Sequence, residues 1–354
     1  DTTPLQAERA RLEAAIRDRS RHTRGQQEES GQVDLEELAG KLGDRVLLSL
    51  LRHDGRLFGV TLVDGRSSLW ALGSYDEAIG ELRSLRFSMH RLARRHGSPA
   101  ALDAARLGLK HASTRLDELL LDPVHHVIAG REIVLLPTMA LHALPWTTLP
   151  SLAARPVSIA PSAALWLRAV EQEPRRRRAP TPVLVAGPGL EHAQPEVAEL
   201  ARSYQGARVL TEETASADAV LNAMDGAELV HVAAHGRFRA DNPQFSCLEM
   251  ADGPLTVYDL ERLRRAPRRL VLSACDSALS AVHPGDELMG LAAAVFALGT
   301  STLIASVTPV PDGETRILMI DLHRRLSAGT SPARALAEAQ QATEVDGFVC
   351  FGAG

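Results

Sequence analysis

The chain has 354 residues, 45% of them apolar and 23% charged, enough for two or three lobes around a large core and ordinary for a globular protein. Its formal charge of −5 makes no global case for a nucleic-acid or membrane partner. No apolar run approaches the ~20 residues of a membrane span, and three cysteines (Cys247, Cys275 and Cys350) make no disulfide framework, which suits a reducing, cytoplasmic compartment.

Residues 5–21 place Leu5, Leu12 and Ile16 at helical spacing among charges, and the polar stretch 22–32 reads as a linker. Together, 1–32 read as the stump of an upstream helical array or sensor domain, in a chain that starts without methionine as a fragment does. Three antiparallel strands are expected over 45–73, where Asp-Gly pairs at 54–55 and 64–65 separate short apolar runs. One helical stretch follows from Tyr75 to about Leu121, then short strands at 131–137 and 156–162. The charged, proline-bounded stretch 171–180 reads as a linker. Beyond it strands alternate with helices. Strands are expected at 182–187, 207–210, 227–236, 268–275 and 301–307, and helices at 195–204, 215–224, 256–263, 286–299 and 314–329. That rhythm predicts an α/β fold, with a largely parallel sheet covered by helices on both faces.

Chemistry in such sheets gathers beyond the carboxyl ends of the strands. "LVHVAAHG" ends in His235 and Gly236, and "LVLSAC" ends in Cys275. If the two strands are neighbours, they run about 4.8 Å apart and the side chains can face each other. An imidazole beside a thiol accepts its proton, and the thiolate is the nucleophile. The same imidazole then protonates a leaving amine. The N–H groups of Gly236 and Cys275 could form an oxyanion hole.

Each residue alone also fits a structural role, Cys275 as a buried core thiol and His235 as a capped strand-end residue. Their occurrence at matching ends of sequential strands favours a dyad. His231 and His235 lie four apart, but on a strand and without a His-Glu-x-x-His pattern, so no metal is expected. Cys247 and Cys350 read as core thiols. "VAGPG" (185–189) lacks the full glycine fingerprint of a nucleotide loop, and no cofactor is expected.

The stretches "HVAAHGRF", "LVLSACDSA", "GDELMGLAAAVFALGTSTLIASV" and, upstream, "REIVLLPTMALHALPWTTLP" resemble the CHAT domain. This is a caspase-like peptidase module found in bacteria beside tetratricopeptide repeats and related to separase. The resemblance extends through "GTSPARALAEAQ" to "GFVCFGAG" and covers roughly residues 35–354. It implies a caspase-like, parallel-rich sheet flanked by helices. Residues 33–178 would be an N-terminal pseudo-caspase-like lobe and 179–354 the catalytic lobe, with His235 as catalytic histidine and Cys275 as nucleophile.

Two departures stand out: Asp276-Ser277-Ala278 replaces the usual Glu-Thr-Gly after the cysteine, and Thr308 with Pro311 alters the Ser-Leu-Trp-Pro-Val-Asp-Asp stretch. If that loop walls the S1 pocket, the pocket should be roomier here. Asp312, Asp286 and Asp276 are the candidate acids for a basic P1 side chain, although Asp286 also suits a helix N-cap. The run "PRRRRAP" (174–180) is a solvated loop or a self-cleavage site, with no aromatic interleaved to suggest nucleic acid. The expected function is a regulated bacterial cysteine endopeptidase, in defence or signalling, that cuts a specific protein partner. The alternative is a catalytically silent CHAT scaffold for protein interaction.

Overall fold

The fold is taken from a computed structural model that describes residues 33–94, 97–173, 181–237, 246–273 and 295–354. The expected helix 5–21, the linker 22–32 and the run 174–180 lie outside these residues, as does most of the expected helix 286–299.

After a short helix α1 (Leu35–Leu42), the chain forms a meander of β1 (Val46–His53), β2 (Arg56–Val63) and β3 (Arg66–Ser74). Both turns are two-residue Asp-Gly loops. Asp54 and Gly55 have φ of 47° and 74°, and Asp64 and Gly65 have 49° and 72°. Positive φ at both central residues matches the right-handed twist of the flanking strands, as the sequence predicted.

The single helical stretch expected over 75–121 is instead two helices, α2 (Tyr75–Arg94) and α3 (Pro99–Leu120). The missed signal is Ser98-Pro99. The Ser98 side chain accepts from the Ala101 N–H at 3.3 Å, and proline occupies the first helical turn, where its missing N–H costs nothing. A new helix therefore starts there and folds back on α2.

Strands β4 (Ile133–Leu136) and β5 (Val157–Ile159), then helix α4 (Ala163–Gln172), complete the first half. The second half alternates as predicted. It runs through β6 (Pro182–Ala186), α5 (Ala193–Arg202), β7 (Arg208–Leu210), α6 (Ala217–Met224, capped by Ser216) and β8 (Leu229–Ala233). A small separate sheet then intervenes, of β9 (Gly236–Arg237), β10 (Cys247–Met250) and β11 (Gly253–Thr256). The chain continues with β12 (Arg269–Leu272), β13 (Thr302–Ser306), α7 (Asp312–Ser327), α8 (Pro332–Thr343) and β14 (Phe348–Gly352).

Eleven strands form one sheet in the order β3-β2-β1-β4-β5-β14-β13-β12-β8-β6-β7. β7, β6, β8, β12 and β13 run parallel to one another, and so do β1, β4, β5 and β14. The two blocks meet at β13–β14, which is antiparallel. Residues Leu35–Gly354 form one packed unit. On one face, Leu229, Val271 and Ile304 pack beneath Leu318 and Leu322 of α7 and Leu336 of α8. Beside them, Leu184, Ala186 and Ala233 lie beneath Val197 and Leu200 of α5.

A polar chain runs through that face. His231, in the middle of β8, is fully buried. Its Nε2 is 2.7 Å from Glu196 Oε1 on α5, and its Nδ1 is 3.0 Å from His323 Nε2 on α7. Beyond it, His323 Nδ1 lies 2.9 Å from the Tyr204 hydroxyl. Burial, with the neighbouring His231 second, holds the His323 pKa well below the ordinary histidine range, so this ring is neutral. Every ring nitrogen has a partner, which removes most of the penalty for burying it.

A second tie joins the halves of the sheet. Glu173, just past α4, accepts from Arg269 Nε at 3.2 Å, Arg269 Nη2 at 2.8 Å and Ser301 Oγ at 2.7 Å. Burial pushes this carboxyl up, but the Arg269 hydrogen bonds and charge, helped by Ser301 and Arg268, outweigh it and hold the pKa low.

Two outcomes follow for stability. Glu173→Ala, which strands Arg269, should cost about 2 kcal/mol, read as a lower urea midpoint at unchanged m-value. His323 binds its proton in the unfolded chain below about pH 6.5 but resists it when folded. Its contribution is therefore full above that pH and is lost as pH falls. A His323→Gln variant should flatten the slope of stability between pH 7.5 and pH 5.5 by up to about 1.4 kcal/mol per pH unit.

Candidate active site

In the parallel block β7-β6-β8-β12-β13, the strand order reverses between β6 and β8, where the outgoing loops diverge to open a crevice. The loop after β6 turns into α5, and β8 runs through buried Ala234 to His235, which is partly exposed. Gly187 is what lets the two loops close on each other. A Cβ there would lie 2.6 Å from Ala234 Cβ and 2.9 Å from Glu249 O, so only glycine fits. Its N–H donates to Ala233 O at 2.7 Å.

This contact brings the Gly189 carbonyl 3.2 Å from His235 Nε2. A carbonyl only accepts, so Nε2 is the donor, and the tautomer this selects for the neutral ring has its lone pair on Nδ1. The sequence reading missed Gly189. "VAGPG" (185–189) lacks the fingerprint of a nucleotide loop, and its last carbonyl instead receives the His235 ring. The signal lay in its place at the end of the strand beside β8.

Gly236 begins β9. The bond from Glu249 N–H to His235 O at 2.8 Å marks those two as a hydrogen-bonded pair. Pairs alternate in an antiparallel ladder, so the next pair, Gly236 and Leu248, leaves the Gly236 N–H pointing away from β10.

Cys275, Asp276 and Asp286 lie outside the described residues. The strands leading to the pair are neighbours: β8 and β12 are parallel and hydrogen-bonded, with Leu272 opposite Val232 and the Ser273 N–H donating to Val232 O at 2.9 Å. Along the chain, His235 and Cys275 each follow this paired position by three residues. Cys247 and Cys350 are buried free thiols. Burial raises Cys350 to about 12, which leaves it un-ionised and unreactive. His231, weighed with His235 in sequence, is committed to the Glu196–His323 chain. Among the described residues no group of three or more His, Cys, Asp or Glu is placed to hold a metal ion.

Asp312 opens α7, and its Oδ2 accepts from the His192 N–H at 3.1 Å, tying α7 to the loop that carries Gly189. It does not line the nearby cavity, whereas Pro309, Val310 and Pro311 of the adjoining loop do. This cavity, about 1170 Å³ with its solvent-open part, lies between that loop, the turn before β14 and the α2–α3 hairpin. Glu314, Glu344, Asp346 and Arg106 are among the charged residues that line it. Desolvation pushes the Asp346 carboxyl up to about 6, although part of the residue is open to water.

The chain is similar in fold to several solved structures. It aligns with Saccharomyces cerevisiae separase from its complex with securin at a TM-score of 0.62 and 10% identity, over 90% of this chain and 30% of that one. A second structure of that complex gives a TM-score of 0.61 and 9% identity with the same coverage. The chain thus spans 30% of the length of the separase chain. A Porphyromonas gingivalis RgpB structure, of its pro- and mature domains, aligns at a TM-score of 0.45 and 12% identity, over 79% of this chain and 77% of that one. No curated protein matches by sequence. The fold is a caspase-like, parallel-rich α/β sheet, and the sequence pattern of the CHAT domain matches residues 110–345, about two thirds of the length, so the chain belongs to the CHAT domain family.

Proposed function

We propose that the chain is a cysteine endopeptidase in which His235 and Cys275 form the dyad. The carrying observation is the tautomer of His235. With Nε2–H bound to Gly189 O, Nδ1 is left to take a proton at the mouth of the crevice, on the strand beside the one that leads to Cys275.

In the proposed reaction, Cys275 Sγ–H gives its proton to His235 Nδ1, and the thiolate attacks the scissile carbonyl carbon. The N–H groups of Gly236 and Cys275 hold the resulting oxyanion. His235 Nδ1–H then protonates the leaving amine as the C–N bond breaks. Water, deprotonated by the same nitrogen, hydrolyses the thioester and restores the thiol.

The substrate is a specific protein in a regulated bacterial pathway, with control from domains upstream of the 33–178 lobe. A basic P1 residue is supported by the cavity at the 309–311 loop and its carboxylates Glu314, Glu344 and Asp346. Asp312 serves that pocket from behind, by fixing the loop through His192.

A fluorogenic peptide library varied at P1 tests this reading. Cleavage is expected after Arg or Lys, and should fall to background in Cys275→Ala and in His235→Ala. Asp346→Asn should lower kcat/KM for an Arg P1 about tenfold, the loss of one charge-assisted pair, and change a Leu P1 less than twofold. No cleavage, together with no reaction of Cys275 with an active-site-directed electrophile, establishes the scaffold reading instead.

A further inference from the structure

The net charge of −5 hides a strong local imbalance. Residues 83–111 contain seven Arg and Lys and a single carboxylate, Asp103, a charge of +6 that leaves −11 for the rest of the chain. The described residues of this stretch lie at the end of the α2–α3 hairpin. A Cβ on Gly108 would lie 3.0 Å from Ser88 Oγ, so the helices touch at this pair. Stepping back one residue on each of two antiparallel helices turns both side chains to the same side of the seam. Phe87 and Leu107 accordingly emerge together, 64% and 70% exposed.

Cations predominate around them, although Asp103, paired with Arg106, lies one turn before Leu107. Arg83 and Arg91 stand one turn to either side of Phe87, Arg94 continues the row, and Lys110 lies one turn beyond Leu107. The Arg91 guanidinium carbon is 5.7 Å from the Phe87 ring centroid. Burial, then the charges of Arg94 and Arg86, hold the His90 pKa below its ordinary value, as expected where cations crowd. The row from 83 to 94 is about 16 Å long. The run 174–180 lacks an interleaved aromatic, whereas this row has one at its centre.

We propose that the outer face of the α2–α3 hairpin binds single-stranded nucleic acid, with phosphates on Arg83, Arg91, Arg94 and Lys110 and a base stacked on Phe87. An exposed ring flanked by guanidinium groups is a stacking platform that a paired duplex cannot use. The surface is separate from the crevice at His235, and the inference does not rest on the peptidase reading.

The test is fluorescence anisotropy of labelled 20-nucleotide oligouridine and oligothymidine with the full chain; the two arms show which polymer is preferred. Four phosphate contacts predict affinity about 50-fold weaker at 200 mM than at 50 mM monovalent salt. Phe87→Ala should weaken binding about tenfold. The double change Arg83→Glu with Arg91→Glu should weaken it more than tenfold, while Arg208→Glu on the distant strand β7 should leave it unchanged. The proposal is overturned by no binding at 50 mM salt with ~100 µM protein, or by equal binding of all three variants. Binding to phosphatidylserine vesicles but to neither oligonucleotide overturns it in favour of a membrane surface.

Discussion

A histidine in the middle of a fully buried strand is the constraint around which this sheet is arranged. Among apolar neighbours on β8, His231 is tolerable only while both its nitrogens are hydrogen-bonded. Its partners come from two helices, Glu196 on α5 and His323 on α7. Neither helix can shift against the sheet without stranding a buried polar atom. The starts of the same helices reach the crevice: the loop into α5 carries the Gly189 carbonyl, and Asp312 at the start of α7 holds His192. The geometry around His235 is thus set four residues upstream on its own strand. This is the kind of support from behind that keeps a site pre-organised.

The α2–α3 hairpin turns different side chains to its two sides. Met89 and Leu109 face the cavity where Glu314, Glu344 and Asp346 gather. Phe87 and Leu107, two residues before each, lie about 200° round their helices, on the side where the cations are.

What the sequence revealed follows from locality. Asp-Gly turns, the Ser216 cap and the apolar runs of β6, β8, β12 and β13 are encoded within a few residues, and each element formed where expected. His235 was legible because a strand ending in His-Gly is itself a local pattern. The break at Ser98-Pro99 was local too, but it was masked by helical periodicity on both sides. Other features were out of reach because they depend on pairing. The Gly189 carbonyl acquires its role only when β6 lies beside β8. Glu196 looks like one more helix-surface carboxylate until α5 packs on His231. Phe87 and Leu107, twenty residues apart, become one surface only when the hairpin closes.

The seam between the two parallel blocks has a consequence for biosynthesis. β14, in the middle of the sheet, pairs Cys350 with Ser158, which precedes it by 192 residues, and with Ile304 on its other side. Until residues 348–352 have left the ribosome, β5 and β13 each present an open apolar edge, and edges of that kind invite mispairing. A nascent chain is therefore obliged to wait for β14, which is made after the strands on both of its sides and after helices α1 to α8. Contacts this distant in sequence make for slow closure and dependence on protection during synthesis. A chain interrupted before residue 348 would lack the strand that joins β5 to β13, and so the two parallel blocks of the sheet to each other.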